Sequence, residues 1–160
     1  VRAFVGLGSN LDEPIRQVRS ALIALAELPE GRLLRQSRLY RTPPLGPPGQ
    51  PEYVNAVALL ETQLAPLELL DRLHAIEQRQ GRIRDGERWG PRSLDLDLLL
   101  YGALCLANSR LQLPHPRMHQ RAFVLVPLAD IAEGDLPIPG AGRLDELLRG
   151  CDRTGVEALV

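Results

Sequence analysis

The stretch Tyr53-Val54-Asn55-Ala56-Val57-Ala58-Leu59-Leu60-Glu61-Thr62, followed at Pro66 by Leu69, Leu70, Leu73 and Ile76, decides how this chain folds. The first part is a short apolar, β-branched run and reads as a strand. The second recurs at helical spacing, with Pro66 at its opening turn and Gly81 as its stop. The same phrase stands at the N-terminus. Arg2 to Gly8 is strand-like, Gly8-Ser9-Asn10 breaks it, and Ile15, Val18, Leu22 and Leu25 mark a helix that stops at Pro29 and Gly31. Asn10 or Ser9 is placed to cap that helix, with Asp12 and Glu13 in its first turn and Pro14 tolerated there. Leu33 to Tyr40 reads as a further strand between the two phrases, and Leu94 to Tyr101 as one after them.

Strand, helix, strand, strand, helix, strand is the split β-α-β order of ferredoxin-like folds. It predicts an α+β architecture with a mostly antiparallel sheet. Both main helices share one face, and the other face is left for a ligand. The connections carry their own punctuation. Thr42 to Pro51 holds five prolines and is neither helix nor ladder strand. Arg82 to Arg92 is a polar, Arg-rich connection. After Tyr101 come C-terminal extras: a hairpin near Gly102, a turn at Leu113-Pro114-His115-Pro116, a helix over Arg121 to Ile131 that Pro127 should kink or restart, and a short helix near Leu144 to Leu148. With 160 residues and no repeat or linker, one domain over 1–160 is expected.

Composition excludes several classes. The apolar share is 44% and the charged share 24%, ordinary for a globular chain, and no apolar run is long enough to span a membrane. All 19 basic residues are Arg. Without Lys there is neither a Walker A phosphate loop nor a Schiff-base amine. Cys105 and Cys151 make no disulfide framework. With no secretory segment at the start, the cytoplasm is the expected location, and Val1 implies an initiator Met removed or left out of the numbering. A net charge of -1 gives no general attraction to nucleic acid or anionic lipid. The charge is uneven, however. Arg79 to Arg121 holds eight Arg against Asp85, Glu87, Asp95 and Asp97, which points to a local anion site.

Four features carry chemistry. Asp95 and Asp97, two apart on a strand, face the same way while Leu94, Leu96 and Leu98 face the core. Their carboxylates suit a pair of Mg²⁺ ions that take few protein ligands and complete their shells with phosphate oxygens and water. A bare D-x-D on a solvated strand is more often just that, but like charges on one face are costly without a cation. Arg82, Arg84, Arg88 and Arg92 surround Trp89-Gly90-Pro91, and several planar guanidinium forks on one loop suit a polyphosphate. His115 is held between two prolines, with Arg117, His119 and Arg121 following. Tyr53 and Asn55 share a strand face, which suits a flat heterocycle by stacking and edge hydrogen bonds, with Phe123 as a second slab. Gly6-Leu7-Gly8 has the opening of a dinucleotide fingerprint, but position 11 is Leu and no βαβ series follows.

Together these blocks resemble the 6-hydroxymethyl-7,8-dihydropterin pyrophosphokinases of folate biosynthesis. The likeness rests on Gly6-Leu7-Gly8-Ser9-Asn10-Leu11, Tyr40-Arg41-Thr42-Pro43-Pro44-Leu45-Gly46, Tyr53-Val54-Asn55-Ala56 and the run from Arg88 to Leu99, with Pro114-His115-Pro116, Arg121 and Phe123 in place after them. The resemblance implies a monomeric enzyme that moves the β,γ-pyrophosphoryl group of ATP to the pterin hydroxymethyl oxygen and releases AMP. It implies two Mg²⁺ on Asp95 and Asp97, with Arg82 and Arg92 also catalytic. It implies an ATP site from Glu77, Arg84, Trp89, Arg92, Leu98, Arg110, His115 and Arg121. The pterin would meet Gly8, Thr42, Pro43, Leu45, Tyr53, Asn55 and Phe123. His74 stands where the family commonly has Gln, and Pro116 where it commonly has Tyr. Two rival readings of the same residues are a ferredoxin-like nucleic-acid-binding module and a metal-dependent nuclease. The scattered aromatics and the near-neutral charge weigh against the first.

Overall fold

A computed structural model describes residues 1–11, 13–43, 51–81 and 94–159. In chain order these form β1 (Arg2–Ser9), α1 (Pro14–Ala26), β2 (Gly31–Gln36), β3 (Tyr40–Thr42), β4 (Tyr53–Thr62), α2 (Pro66–Gly81), β5 (Asp95–Tyr101), β6 (Leu106–Ala107), β7 (Gln112–Leu113), α3 (Ala122–Ile131), β8 (Pro137–Ile138), β9 (Gly142–Arg143), α4 (Leu144–Gly150) and β10 (Glu157–Ala158). The main sheet runs β10-β3-β4-β1-β5, with β2 also on β4. Its described pairings are all antiparallel. No helix among the described residues is long and apolar enough to cross a membrane.

Alternation along the strands builds two cores. Ala3, Val5 and Leu7 of β1, Val54, Ala56, Ala58 and Leu60 of β4, and Leu96 and Leu98 of β5 meet α1 and α2. Those helices bury Val18, Ala21, Leu22 and Leu25, and Leu69, Leu70, Leu73 and Ile76, at the spacing of one helix face. Ile15, counted in the first stripe, is instead 39% exposed in the opening turn. Phe4, Val57, Leu59 and Leu100 point the other way, where α3 and α4 cover them. The face expected to be left open is thus covered except around Gly6, Gly8, Asn55, Asp95 and Asp97.

Several local expectations need correction. The strand expected over Leu33 to Tyr40 is two strands, β2 and β3, and both pair with β4. Ser37 causes the interruption. Its N–H donates to the Val57 carbonyl (2.9 Å), and its hydroxyl oxygen accepts from the Val57 N–H (2.9 Å), so a side chain replaces one ladder partner. Neither Ser9 nor Asn10 caps α1. Glu13 precedes the helix in a left-handed conformation (φ 60°) with no side-chain cap, the Ser9 hydroxyl donates to the Leu11 carbonyl, and Asn10 is buried with neither amide atom hydrogen-bonded among the described residues. Pro127 does not restart α3, which runs as one helix from Ala122 to Ile131 with the proline inside it. A mid-helix Pro costs about 3 kcal/mol. Full burial of each large apolar side chain returns roughly 1.5 to 3 kcal/mol. Val124, Leu125, Leu128 and Ile131 are all buried around Pro127, so packing outweighs the local penalty.

In β5, Leu98 pairs with Val5 but Leu100 pairs with Phe4, leaving Leu99 as an extra residue in a bulge. Leu99 and Leu100 therefore both join the core under α3, and Tyr101 packs on the α1–α2 side.

Candidate active site

Four strands and one helix end make a cavity of about 210 Å³ on the partly open face. Its floor is set by register. Gly8 of β1 lies between Asn55 of β4 and Asp95 of β5, and Gly6 lies between Val57 and Asp97. Strands sit about 4.8 Å apart, so Asn55 and Asp95 face each other across roughly 10 Å with only a glycine between them. Any side chain at position 8 would fill that space. A Cβ there would stand 2.8 Å from Asn55 Nδ2. The Gly6-Leu7-Gly8 run that mimics a dinucleotide fingerprint thus serves as a bare strip of sheet. Thr42, Pro43 and Tyr53 form one wall, and Arg121, Phe123 and Val124 at the start of α3 form the other.

Asn55 is buried and oriented. The Thr42 hydroxyl donates to its Oδ1 (2.6 Å), and its Nδ2 donates to the Leu7 carbonyl (3.4 Å). An amide carries two donor hydrogens and two acceptor lone pairs. One of each is left over on this cavity-lining residue, a donor and an acceptor of the kind that reads the edge of an aminated heterocycle. Tyr53 is half-buried, and burial raises its hydroxyl pKa, with the nearby Asp95 charge adding to the rise. Across the cavity the Arg121 guanidinium sits 5.4 Å from the centroid of the Phe123 ring.

The anionic side of the cavity is made by Asp95, half-buried, and Asp97, exposed. Behind them the Glu77 carboxylate of α2 accepts from the Leu96 N–H (2.8 Å), which satisfies the outer edge of β5 between the two acids. His115 follows the turn after β7. Its N–H donates to the Leu99 carbonyl (2.9 Å), and its Nδ1 accepts from the Arg117 N–H (3.2 Å). That bond leaves the ring proton on Nε2. Burial lowers the His115 pKa, the Asp97 carboxylate partly offsets this, and Arg121 and Arg117 add to the lowering. The ring is therefore neutral near pH 7 and stands in the field of both Asp97 and Arg121.

Of the residues expected at a site, the cavity brings together Gly8, Thr42, Pro43, Tyr53, Asn55, Asp95, Asp97, Arg121 and Phe123. His115 lines a neighbouring groove with His119, Gln112 and Pro116. Leu98 is 3% exposed in the core beneath α2, so its side chain does not reach the cavity. Arg110 lies on the surface, ion-paired with Asp71 of α2. Leu45, Arg82, Arg84, Trp89 and Arg92 lie outside the described residues. Gly6, Leu99 and Val124 also line the cavity, and sequence reasoning missed them. Gly6 had a readable signal, since it shares a strand face with Gly8. Leu99 and Val124 look like core residues in any local pattern.

Comparison with known proteins connects this arrangement to a chemistry. A family model described as 7,8-dihydro-6-hydroxymethylpterin-pyrophosphokinase (HPPK) matches residues 4–133. The 2-amino-4-hydroxy-6-hydroxymethyldihydropteridine pyrophosphokinase of Pseudomonas aeruginosa is 56% identical over 158 residues, covering 99% of this chain and 96% of the relative. That of Haemophilus influenzae is 50% identical over 149 residues, covering 93% and 92%. That of Bacillus subtilis is 38% identical over 131 residues, covering 82% and 78%. Among solved structures, wild-type Plasmodium falciparum HPPK-DHPS with pteroate superposes with a TM-score of 0.69 at 12% identity, over 92% of this chain and 42% of that one. A triple mutant of the same protein gives 0.73 at 12% identity, over 92% and 42%. This chain spans less than half the length of those solved chains, and at such identity the likeness shows the shared fold alone. The match to the family model and the identity to full-length relatives carry more: the chain belongs to the HPPK family and is a pyrophosphokinase of folate biosynthesis.

Proposed function

We propose that the cavity is where this chain joins its two substrates, with the reduced pterin on the Asn55 side and the phosphates of ATP on the Asp95 side. The row Asn55–Gly8–Asp95 carries this reading. A heterocycle-reading amide and a metal-binding carboxylate share one glycine floor, about two strand spacings apart. The pterin would lie between Tyr53 and Phe123, with the remaining donor and acceptor of Asn55 on its edge. Its hydroxymethyl arm would then point along the floor toward Asp95 and Asp97.

The donor set fits Mg²⁺. Asp95 and Asp97 are hard oxygen ligands on one strand face, and two carboxylates with substrate phosphates and water are what Mg²⁺ prefers. When bound there, two such ions neutralise phosphate charge and make the hydroxymethyl group a better nucleophile. The chain's own residues do the rest. Asp95 and Asp97 are fixed by pairing with β1 and by the Glu77 hold on the Leu96 N–H. Neutral His115 donates its Nε2–H to a phosphate oxygen, and Arg121 contributes positive charge at the cavity wall. Arg82, Arg84, Trp89 and Arg92 act on the nucleotide from the Arg-rich connection. Arg110 reaches ATP only by exchanging Asp71 for a phosphate. Leu98 serves through its backbone.

Transfer at phosphorus needs alignment and charge neutralisation more than covalent chemistry, and these residues supply both. The pyrophosphoryl group moves from ATP to the pterin oxygen, and AMP leaves. The free thiols Cys105 and Cys151 suit a reducing cytoplasm. Family membership sets aside the nucleic-acid module and the nuclease. The deciding experiment measures AMP from ATP with Mg²⁺ and 6-hydroxymethyl-7,8-dihydropterin supplied together and separately. AMP that forms without the pterin, or at full rate in chelator, would overturn the reading.

A further inference from the structure

The far end of α3 carries a cluster that does not line the cavity, although one member, Tyr40, opens a family motif. Asp130, in the last turn of α3, faces the link between β2 and β3. Its carboxylate accepts from the Arg38 backbone N–H (3.1 Å), from the Arg38 guanidinium (3.3 Å at each oxygen) and from the Tyr40 hydroxyl (2.8 Å to either oxygen). The Tyr40 hydroxyl also accepts from Arg38 Nη2 (2.9 Å), and the guanidinium lies 5.4 Å from the Tyr40 ring centroid. Tyr40 is 3% exposed, and the Asp130 side chain 18%. A carboxylate at a helix C-terminus is locally unfavourable. Its partners are tertiary, and they decide its position.

The two ends of this contact lead to the cavity. Tyr40 pairs with Asn55 across β3 and β4, and it shares a strand face with Thr42, which holds the Asn55 amide. On the other side Asp130 and Phe123 are seven residues apart on α3, hence on one helix face and about 10 Å apart along the axis. Along this length α3 is held by Val124, Leu125, Leu128 and, just past Asp130, Ile131 against Val57, Leu59 and Leu100. Such apolar contacts are strong but non-directional, so alone they let a helix slide or roll. The hydrogen bonds at Asp130, three from Arg38 and one from the Tyr40 hydroxyl, are directional.

We propose that Asp130 is a positioning residue for the heterocycle slot: clamped to Arg38 and Tyr40, it fixes the height and rotation of α3, so that Phe123 stands at stacking distance above the Gly8–Asn55 floor. The inference rests on reading the cavity as the pterin site. Asp130 touches no substrate and acts only through Phe123.

The test compares Asp130→Asn and Tyr40→Phe with the parent. Pterin affinity and affinity for a non-hydrolysable ATP analogue with Mg²⁺ are measured by calorimetry, well below each variant's Tm. Tyr40→Phe removes one hydroxyl and keeps the buried ring, so it remains informative where Asp130→Asn fails to fold. The expected result is pterin affinity weaker by about fivefold to tenfold in both, ATP-analogue affinity within twofold, and KM for pterin raised with kcat little changed. The double variant should lose no more than the worse single one, as expected for one shared clamp. A lower Tm with both affinities unchanged, or equal losses for both ligands, overturns the proposal and leaves a purely structural clamp. Tyr53→Ala separates the two levels. If it weakens pterin binding while Asp130→Asn does not, only the clamp fails. If it leaves pterin binding unchanged, the slot reading fails and the clamp with it.

Discussion

Replacing Gly8 with Ala tests the floor of the cavity with one methyl group. The new Cβ would sit 2.8 Å from Asn55 Nδ2, and ordinary contact begins near 3.4 Å, so the amide must retreat by roughly 0.6 Å. It has little room. Asn55 is 7% exposed, its Oδ1 is held by Thr42 at 2.6 Å, and its Nδ2 bond to the Leu7 carbonyl is already 3.4 Å long. Retreat breaks that weak bond and strains the short one. Losing a net hydrogen bond costs about 0.5 to 1.5 kcal/mol, and leaving a buried polar group unpaired about 1 to 3 kcal/mol. A stability loss of roughly 1 to 3 kcal/mol follows, and at about 2 to 4 °C per kcal/mol a fall in Tm of roughly 2 to 12 °C. Pterin affinity should weaken by about tenfold, equivalent to about 1.4 kcal/mol, because the donor and acceptor that read its edge are displaced. Calorimetry with the pterin and thermal unfolding give both numbers. On an Asn55→Ser background, where the amide is gone, Gly8→Ala should have a much smaller effect. Pterin affinity within twofold of the parent, or an equal effect on both backgrounds, would refute the reasoning.

Asp95→Asn and Asp97→Asn should each lower turnover by more than about 100-fold while leaving the Tm unchanged or slightly higher, since like-charge repulsion on one strand face is relieved. Turnover within tenfold of the parent would remove the metal role. Leu128→Ala, at a fully buried position of α3, should cost about 2 to 5 kcal/mol in chemical denaturation, and a loss below about 1 kcal/mol would mean that α3 packs loosely on the sheet. Burial pushes the Asp130 carboxyl up, but the hydrogen bonds from Arg38 and Tyr40 outweigh it, and the net pKa is below the ordinary 3.8. The folded state therefore resists protonation more than the unfolded one, so this stabilisation is complete above pH 3.8 and lost as pH falls through the folded value. The Tm difference between the parent and Asp130→Asn should be constant at neutral pH and shrink in that acid window. A difference independent of pH would show that the charge of Asp130 contributes nothing.

What could be read from the sequence is what short-range periodicity encodes. Leu96 and Leu98 had to face away from Asp95 and Asp97, and Val18, Leu22 and Leu25 had to share a helix face. The structure places them so. Tyr53 and Asn55 came out on one strand face for the same reason. The misses are long-range. Ser37 breaks a strand only because the backbone of Val57 lies opposite. Pro127 survives inside α3 only because its surroundings are buried. Arg38 and Asp130 are 92 residues apart, and no local pattern announces that they meet. Arg110, one cation among many in the sequence, already holds Asp71 in the fold.

The bulge at Leu99 divides β5 into two lengths of opposite phase. Upstream, alternation places Asp95 and Asp97 against the glycines of β1. Downstream, the count is reset, so Leu100 faces α3 and Tyr101 turns back to donate its hydroxyl to the Leu64 carbonyl (2.7 Å). Straightening the bulge with Leu99 kept in the ladder would leave the two carboxylates in register and invert every residue after Leu99. It would drive Leu100 toward the α2 side and the Tyr101 hydroxyl away from its partner. The single extra residue thus acts as an insulator between a strand half that sets chemistry and one that sets packing, and each half can tolerate substitutions without imposing its parity on the other.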